Sequence, residues 1–345
     1  MKKSLTILKC IICIAVLITA IAMVVILFNQ VYFEWFTAID VDLASKFGEF
    51  FGGFIGTLFG FLSILLVTYS ILKQTYENRR ENVKSSFFRM IDYHYQNVNQ
   101  IELPKGKNME KGRRGFVAYK IQIKRLIQAV CKINHDHSLG LGGQDIASIA
   151  YVVFYYGLSE SWKNFIEDKI RCYDCRQVII DGLLELSQQN PELNLCRTNQ
   201  TILSAYFRNM YNAIKLIDKE ACFSDEEKKE LIKIYRAQLS NPELYVLFFN
   251  IISPFGKKWV EQKYVVKYAL LKNIPYNYLD GYNPKHFFDI VYEYEELTCS
   301  ETFQYMEPPV IESATPLCVA EREQSEERNK KLCFCGFFCR INKRN

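Results

Sequence analysis

Proline and glycine are scarce in this sequence, which holds 9 and 16 of them in 345 residues. With 49% apolar and 23% charged residues, the chain is neither mostly disordered nor fibrous. The chain also lacks a strong net charge. Its net charge of +5 is too small to indicate DNA binding by bulk attraction. No repeat of fixed period and no phosphate-cradling motif is evident. Aromatic residues are abundant instead, at 14%, and they are sufficient for a large core.

Two stretches lack charge altogether, residues 10–28 and residues 50–72. Each is long enough to cross about 30 Å of hydrocarbon as a helix. The first stretch has the alternative of a cleaved signal peptide, since Ala20-Ile21-Ala22 resembles a cleavage site. The apolar run continues to Phe28, however, where a mature N-terminus would turn polar. We therefore predict two transmembrane helices, which form a hairpin within residues 1–84.

Basic residues lie at the two outer ends of this hairpin and are scarce in its connecting loop. They are Lys2, Lys3 and Lys9 before the first span, and Lys73, Arg79, Arg80 and Lys84 after the second. The connecting loop carries four acids against the single cation Lys46. Because positively charged flanks stay in the cytoplasm, both termini and the main body are predicted to be cytoplasmic.

Four glycines recur at every fourth position in and just before the second span. They are Gly48, Gly52, Gly56 and Gly60. This spacing places them on one helix face, where another backbone approaches closely. We favour helix packing against the first span. The alternative is a homo-oligomer formed through the second span.

The remainder reads as an all-α cytoplasmic domain over residues 85–300. Helical patterns cover residues 116–133, 144–156, 159–187, 199–218, 225–240, 242–253, 257–272 and 284–297. Ser224 with Glu227 forms a capping-box pattern, and Asn241-Pro242-Glu243 resembles a helix start capped by Asn241. A Gly/Lys-rich break is expected at residues 104–115.

A flexible tail is predicted for residues 301–345. Its first part is rich in proline and glutamate, as disordered linkers are. Its end, residues 328–345, combines cysteine and phenylalanine with lysine and arginine and contains no acid. Such a segment suits the anionic inner leaflet, so membrane lipids are expected partners. A solvated tail is the equal alternative.

Cysteines and histidines give few signs of a metal or redox centre. The pair Cys172 and Cys175 lacks a second ligand pair or a preceding strand. Cys131, His135 and His137 are the densest set of donors, but a single loop rarely supplies a whole site. They are weak metal candidates beside the alternative of a polar turn. We expect no cofactor.

Arg89 and His94 have the Arg-x4-His spacing of HEPN ribonucleases. That spacing is short and common by chance. His94 also belongs to an apolar stripe with Ile91 and Val98, and five residues of helix turn Arg89 about 140° away. A packing histidine is therefore favoured over a catalytic one.

Five sequence blocks stand out along the chain: residues 235–256 with the YRAQLSNPELYVLFFN stretch, EFFGGFIGTLF at 49–59, FFRM at 87–90, GRRGF at 112–116, and YFRNMY at 206–211. Together these blocks resemble the AbiC-like group of phage abortive infection proteins. The resemblance implies a two-span bacterial protein of the inner (cytoplasmic) membrane that aborts infection in response to an unknown phage-derived trigger. It implies no catalytic residues.

Polar residues of these blocks fall on apolar helix faces and are expected to find buried partners. We predict that Asn209, Arg236, Gln238 and Asn250 form one buried polar network. Scaffolding is its favoured role, before ligand recognition and catalysis. A non-enzymatic sensor and effector acting through the membrane hairpin is thus favoured over a membrane-tethered HEPN-like ribonuclease using Arg89 and His94.

Overall fold

A computed structural model describes residues 2–28, 41–105 and 108–298. The chain is predominantly helical, which confirms the all-α prediction. It divides into two compact units. The first unit comprises Met1–Arg89 with Leu216–Lys228, and the second comprises Met90–Lys215 with Lys229–Asn345. The predicted tail at 301–345 lies outside the described residues.

The first unit contains the two helices that are long and apolar enough to span a membrane. Its N-terminal elements are α1 (Lys2–Leu27), α2 (Val41–Phe50), a π-helix (Phe51–Ile55) and the start of α3 (Gly56–Asn99). The candidate spans are Leu5–Val25 and a window within Gly52–Asn99, and few side chains of either are buried. Helix α3 is continuous to Asn99, well past the charge-free stretch.

The four spaced glycines face open space within the described part of the chain. A Cβ added at Gly48, Gly52, Gly56 or Gly60 would meet no atom within 4 Å. Packing of this face against the first span is therefore not seen, and its role in helix packing stays a prediction. In a straight α-helix a four-residue step overshoots a full turn by about 40°. The wider π-turn at Phe51–Ile55 reduces this drift between Gly52 and Gly56.

The second unit is built mainly from short helices. After the end of α3 come α4 (Arg113–Asp136), α5 (Gly143–Tyr156), α6 (Lys163–Lys169), α7 (Arg176–Gln189), α8 (Gln200–Lys219), α9 (Asp225–Arg236), α10 (Asn241–Ile252), α11 (Lys257–Glu261), α12 (Tyr264–Lys267) and α13 (Glu293–Thr298). The C-terminal end of α8, from Leu216, and the start of α9, up to Lys228, belong to the first unit. Helix α4 packs against α5, α7 and α10. Most side chains of α5 and α10 are buried, so these two helices form the centre of the core.

A small hairpin occupies the predicted Gly/Lys-rich break. Strands β1 (Glu102–Lys105) and β2 (Asn108–Lys111) pair antiparallel. The chain then turns at Gly112, whose φ of 60° suits glycine, and enters α4. Gly115 lies so close to Ile101 that an added Cβ would come within 2.3 Å of its side chain. This close contact holds the start of α4 against the end of α3.

Three predicted helices are shorter than the patterns indicated. The predicted helix 159–187 is split into α6 and α7 by a turn, where Tyr173 donates a hydrogen bond to Asp145. The predicted helix 257–272 is interrupted at Lys263 and Ala269, which have left-handed φ angles of 54° and 47°. The predicted helix 284–297 keeps only a 3-10 turn and α13. Apolar residues keep a helix-like spacing across such turns, so the sequence pattern overestimates the length of these helices.

Candidate functional site

His94, near the end of α3, lies at the centre of a buried polar cluster in the second unit. Its side chain is 1% exposed. The imidazole Nδ1 lies 3.1 Å from the Tyr235 hydroxyl, and Nε2 lies 3.2 Å from Glu243 Oε1. The rings of Tyr206 and Tyr235 are 4.9 and 5.3 Å from the imidazole, centroid to centroid. We call His94, Glu243, Tyr206 and Tyr235 the histidine cluster.

Glu243 is the acidic member of the histidine cluster and is completely buried. The Ser240 amide donates to its Oε2 at 2.9 Å, and the Ser240 hydroxyl donates to the same oxygen. The Tyr206 hydroxyl donates to Oε1 at 3.1 Å. Glu243 also stands in the first turn of α10, where the helix dipole favours a negative charge. These interactions therefore help to compensate for removing this carboxylate from water.

These interactions decide the protonation state of Glu243. Burial alone raises the pKa of a carboxyl group. The contact with His94 and the hydrogen bonds from Ser240 outweigh that effect, and the pKa of Glu243 falls below its ordinary value. Glu243 is therefore a carboxylate at neutral pH. For Tyr235, burial dominates and raises the pKa, while a hydrogen bond with Asn209 acts in the opposite direction.

The N-cap of α10 differs from the prediction. Asn241 was expected to cap the helix, but Ser240 is the N-cap and forms a capping box with Glu243. The other predicted box is confirmed, because the Ser224 amide donates to Glu227 at 2.8 Å and the Glu227 amide donates to Ser224 Oγ at 3.2 Å. The sequence Ser-x-x-Glu occurs at both positions, and this pattern was the available signal for Ser240.

Arg113 connects the histidine cluster to the surface. Its Nε lies 3.9 Å from Glu243 Oε2, and Nη2 donates to the Gln238 carbonyl at 2.9 Å. Its guanidinium also lies over the Tyr95 ring, 5.8 Å from the centroid. About half of the Arg113 side chain is exposed, so one end of this interaction reaches solvent.

The four residues predicted as one buried network do not form one. Asn209 joins the histidine cluster through Tyr235 and donates to the Met90 carbonyl at 2.8 Å. Gln238 is only half-buried, and its amide oxygen accepts a hydrogen bond from Tyr95.

The other two predicted residues have separate partners. Arg236 donates to the Ala269 carbonyl at 3.1 Å, and Asn250 donates to the Tyr151 hydroxyl at 3.0 Å. Seven residues, nearly two helical turns, separate Asn250 from Glu243 on α10. The sequence pattern correctly indicated polar side chains with partners, but it did not show which partners they have.

Arg89 and His94 occupy different environments. Arg89 is exposed, whereas His94 is sealed among aromatic rings. A general base must come within hydrogen-bond reach of its substrate. The burial of His94 therefore favours a packing role over attack on RNA.

The weak metal candidates are not brought together. Cys131 is half-buried, while His135 and His137 are exposed. Among the described residues, no group of three or more His, Cys, Asp or Glu side chains could hold a metal ion. Burial raises the pKa of Cys172 and of Cys175, which favours the thiol over the reactive thiolate.

Comparison with known proteins adds one match. No curated protein and no solved structure matches the chain. The matching family model is described as "putative phage abortive infection protein", and it covers residues 198–279. That segment holds three members of the histidine cluster, together with Ser240 and Asn209. Over residues 198–279 the chain matches the phage abortive infection family, which confirms the resemblance inferred from the blocks at residues 206–211 and 235–256.

Proposed function

We propose that this chain is a membrane-anchored bacterial anti-phage protein that acts by abortive infection, as a non-enzymatic sensor and effector. The observation that carries the proposal is the course of α3. This helix begins in an apolar window suited to a membrane and, near its other end, carries His94 of the histidine cluster. The other members of that cluster all belong to the family-matched segment.

Contacts within the first unit support the same proposal. The Tyr76 hydroxyl donates to the Cys222 carbonyl at 2.7 Å, and Arg79 forms a 3.1 Å ion pair with Glu220. Arg80 pairs with Glu227. The family-matched segment thus contacts α3 directly after the apolar window, and again, within the second unit, at His94. A change in that segment on trigger binding would act on the helix that enters the membrane.

The effector step is proposed to use the open glycine face. Homo-oligomer formation through Gly52 and Gly56 would bring second spans together within the bilayer. Both termini and the helical domain are proposed to be cytoplasmic, in a two-pass inner-membrane protein. A C-terminal fluorescent protein fusion should be bright, and a C-terminal alkaline phosphatase fusion should be inactive. The reverse pattern would contradict this orientation.

The tail at residues 328–345 is proposed to bind anionic membrane lipids. Six cations, each contributing up to about 1 kcal/mol near an anionic surface, act together with aromatic side chains. A synthetic peptide of this sequence should bind vesicles containing phosphatidylglycerol and should dissociate as salt is raised. Equal binding to neutral vesicles would contradict the electrostatic part of this proposal.

The alternative is a membrane-tethered ribonuclease that uses Arg89 and His94. Expression in a phage-sensitive host separates the two functions. After infection, the sensor and effector should reduce plaque formation, depolarise the membrane and leave cellular RNA intact. RNA cleavage that disappears in a stably produced His94→Ala variant would favour the ribonuclease.

A further inference from the structure

Helix α4, in the second unit, has an exposed face that the function proposed above does not use. Val117 and Ile121 lie one turn apart on it, and they are 44% and 41% exposed. At about 100° per residue, Arg114 lies on one side of this aliphatic pair, and Lys120 and Lys124 lie on the other. We call these five residues the α4 face. Residues 113–125 hold five cations and no acid.

The lysine edge of the α4 face contacts a later segment of the chain. Lys124 Nζ lies 2.7 Å from Asp280 Oδ1, and Lys120 Nζ lies over the Tyr278 ring, 3.3 Å from its centroid. An aromatic ring attracts a cation without neutralising it. Asp280 balances one of the three cations, so the α4 face keeps a positive charge.

Helix α13 ends close to this later segment. The Tyr294 ring of α13 lies 5.5 Å from the Tyr276 ring, between centroids. Tyr276 is two residues before Tyr278, so at most about 7 Å of extended chain separates them. Helix α13 ends at Thr298, four residues after Tyr294. The residues that follow Thr298 therefore start within reach of the α4 face.

Residues 301–327, which we call the acidic segment, complement the α4 face in charge and in apolar character. They contain seven glutamates and a single arginine, together with apolar residues such as Val310 and Ile311. Ten extended residues span about 33 Å, roughly twice the 15 Å or so from Arg114 to Lys124 along α4. The length of the acidic segment is therefore sufficient to cover the face.

We propose that the acidic segment docks on the α4 face of its own chain. Its apolar side chains cover Val117 and Ile121, and its glutamates lie beside Arg114 and Lys120. Docking removes the aliphatic pair from water. Tethering gives the segment a high effective concentration at the face, which favours it over a separate acidic protein or an anionic lipid surface.

The test uses the full-length protein in a non-ionic detergent and site-specific photo-cross-linking. The photoreactive amino acid p-benzoylphenylalanine replaces Ile121, and the products are mapped by proteolysis and mass spectrometry. The matched control places it at Val178 on α7, which is 38% exposed in the same unit. Ile121 should cross-link the acidic segment at least about fivefold more than Val178 does, because docking concentrates the segment at one face. An equal mixture of isotope-labelled and unlabelled protein shows whether both cross-linked peptides come from one chain.

The contribution of charge is measured with the same cross-link. Sodium chloride at about 1 M screens charges beyond about 3 Å and should reduce the Ile121 cross-link at least about twofold. Replacing all seven glutamates of the acidic segment with glutamine should reduce it at least about fivefold. Chance collisions of a tethered segment depend on neither change. If the substitution at Ile121 lowers the helical circular dichroism signal, the photoreactive residue is placed at Val117 instead.

Four results would overturn the proposal. The first is cross-linking of the acidic segment that is absent, or equal from Ile121 and Val178, and the second is a cross-link that neither salt nor the glutamine variant reduces. The third is a cross-link that joins two different chains. The fourth is seen in nanodiscs containing phosphatidylglycerol, as cross-linking to lipid in place of the acidic segment. Because the cross-link is measured on purified protein, the result is independent of the defence function.

Discussion

Two apolar helices of this chain, α10 and the first part of α3, satisfy their polar groups in opposite ways. In α10, Asn250 and Glu243 bond side chains of other helices, Tyr151 and Tyr206 among them. In the apolar window of α3, Thr57 and Thr68 donate instead to carbonyls of their own helix, at 2.7 and 2.8 Å.

A difference of this kind is expected between a core helix and a helix in lipid. Helix α10 has 12 residues, too few to cross a bilayer, and its large side chains are buried in protein. The apolar residues of the α3 window, such as Ile64 and Val67, are exposed. A helix in lipid must satisfy its polar groups internally, whereas a core helix depends on tertiary partners. Substitutions in α10 should therefore cost more stability than comparable substitutions in the span.

The largest expected effect is that of Glu243→Ala in α10. It leaves His94 and Tyr206 without their buried partner, and we expect a loss of about 3–5 kcal/mol in the free energy of unfolding. Urea unfolding followed by the fluorescence of Trp259, which is buried in the same unit, measures this loss. Glu243→Gln keeps the shape and should cost less.

Glu230→Gln is the matched control for this change. Glu230 is exposed on α9 and pairs with Lys233. Its loss should change the free energy of unfolding by no more than about 0.5 kcal/mol. If Glu243→Gln and Glu230→Gln changed the free energy of unfolding by the same small amount, the histidine cluster would contribute little stability.

The second prediction concerns the span. Gly52 and Gly56 both face open space, so replacing them with leucine should not disturb the folding of a single chain. It adds bulk where another backbone would approach, and defence should fall to the level of cells without the protein. Plaque counts and membrane fractionation measure the two properties. Full protection by the double variant would exclude the glycine face as the effector surface.

The comparison of α10 with α3 also shows how far the sequence could predict this protein. Helix α8 follows the apolar period closely, and α10 is an apolar run that begins at the Ser-Asn-Pro-Glu start signal, so the existence and bounds of both were predictable within a few residues. Glu243 was not recognised as a site residue, because an acid in the first turn of a helix is ordinarily explained by the dipole. Its partner His94 is distant in sequence, and no spacing rule relates the two. Residues with left-handed φ angles, such as Lys263, were equally unpredictable, because only the folded chain shows these angles.

The third prediction is a dependence of stability on pH. The pKa of Glu243 is lowered in the folded chain, so the unfolded state binds more protons in acid. The stabilisation is fully present above the ordinary glutamate pKa of about 4.3 and is lost as the pH falls through the lower folded value. Urea midpoints measured from pH 7 to pH 3 should decline less steeply in Glu243→Gln than in the wild type. Parallel declines would contradict this assignment.

The smallest effect is expected for Thr68→Val in the apolar window of α3. The Thr68 hydroxyl bonds the Ile64 carbonyl of its own helix, so removing it leaves no distant group unpaired. Valine has a similar shape and transfers more favourably into lipid. We therefore expect unchanged membrane insertion and a change in unfolding free energy below about 0.5 kcal/mol.

Asn250→Leu in α10 is the comparison, because it removes the partner of the buried Tyr151 hydroxyl and should cost about 1–3 kcal/mol. If Thr68→Val proved as costly as Asn250→Leu, the hydroxyl of Thr68 would have a partner outside its own helix, and the window would be packed against protein rather than lipid.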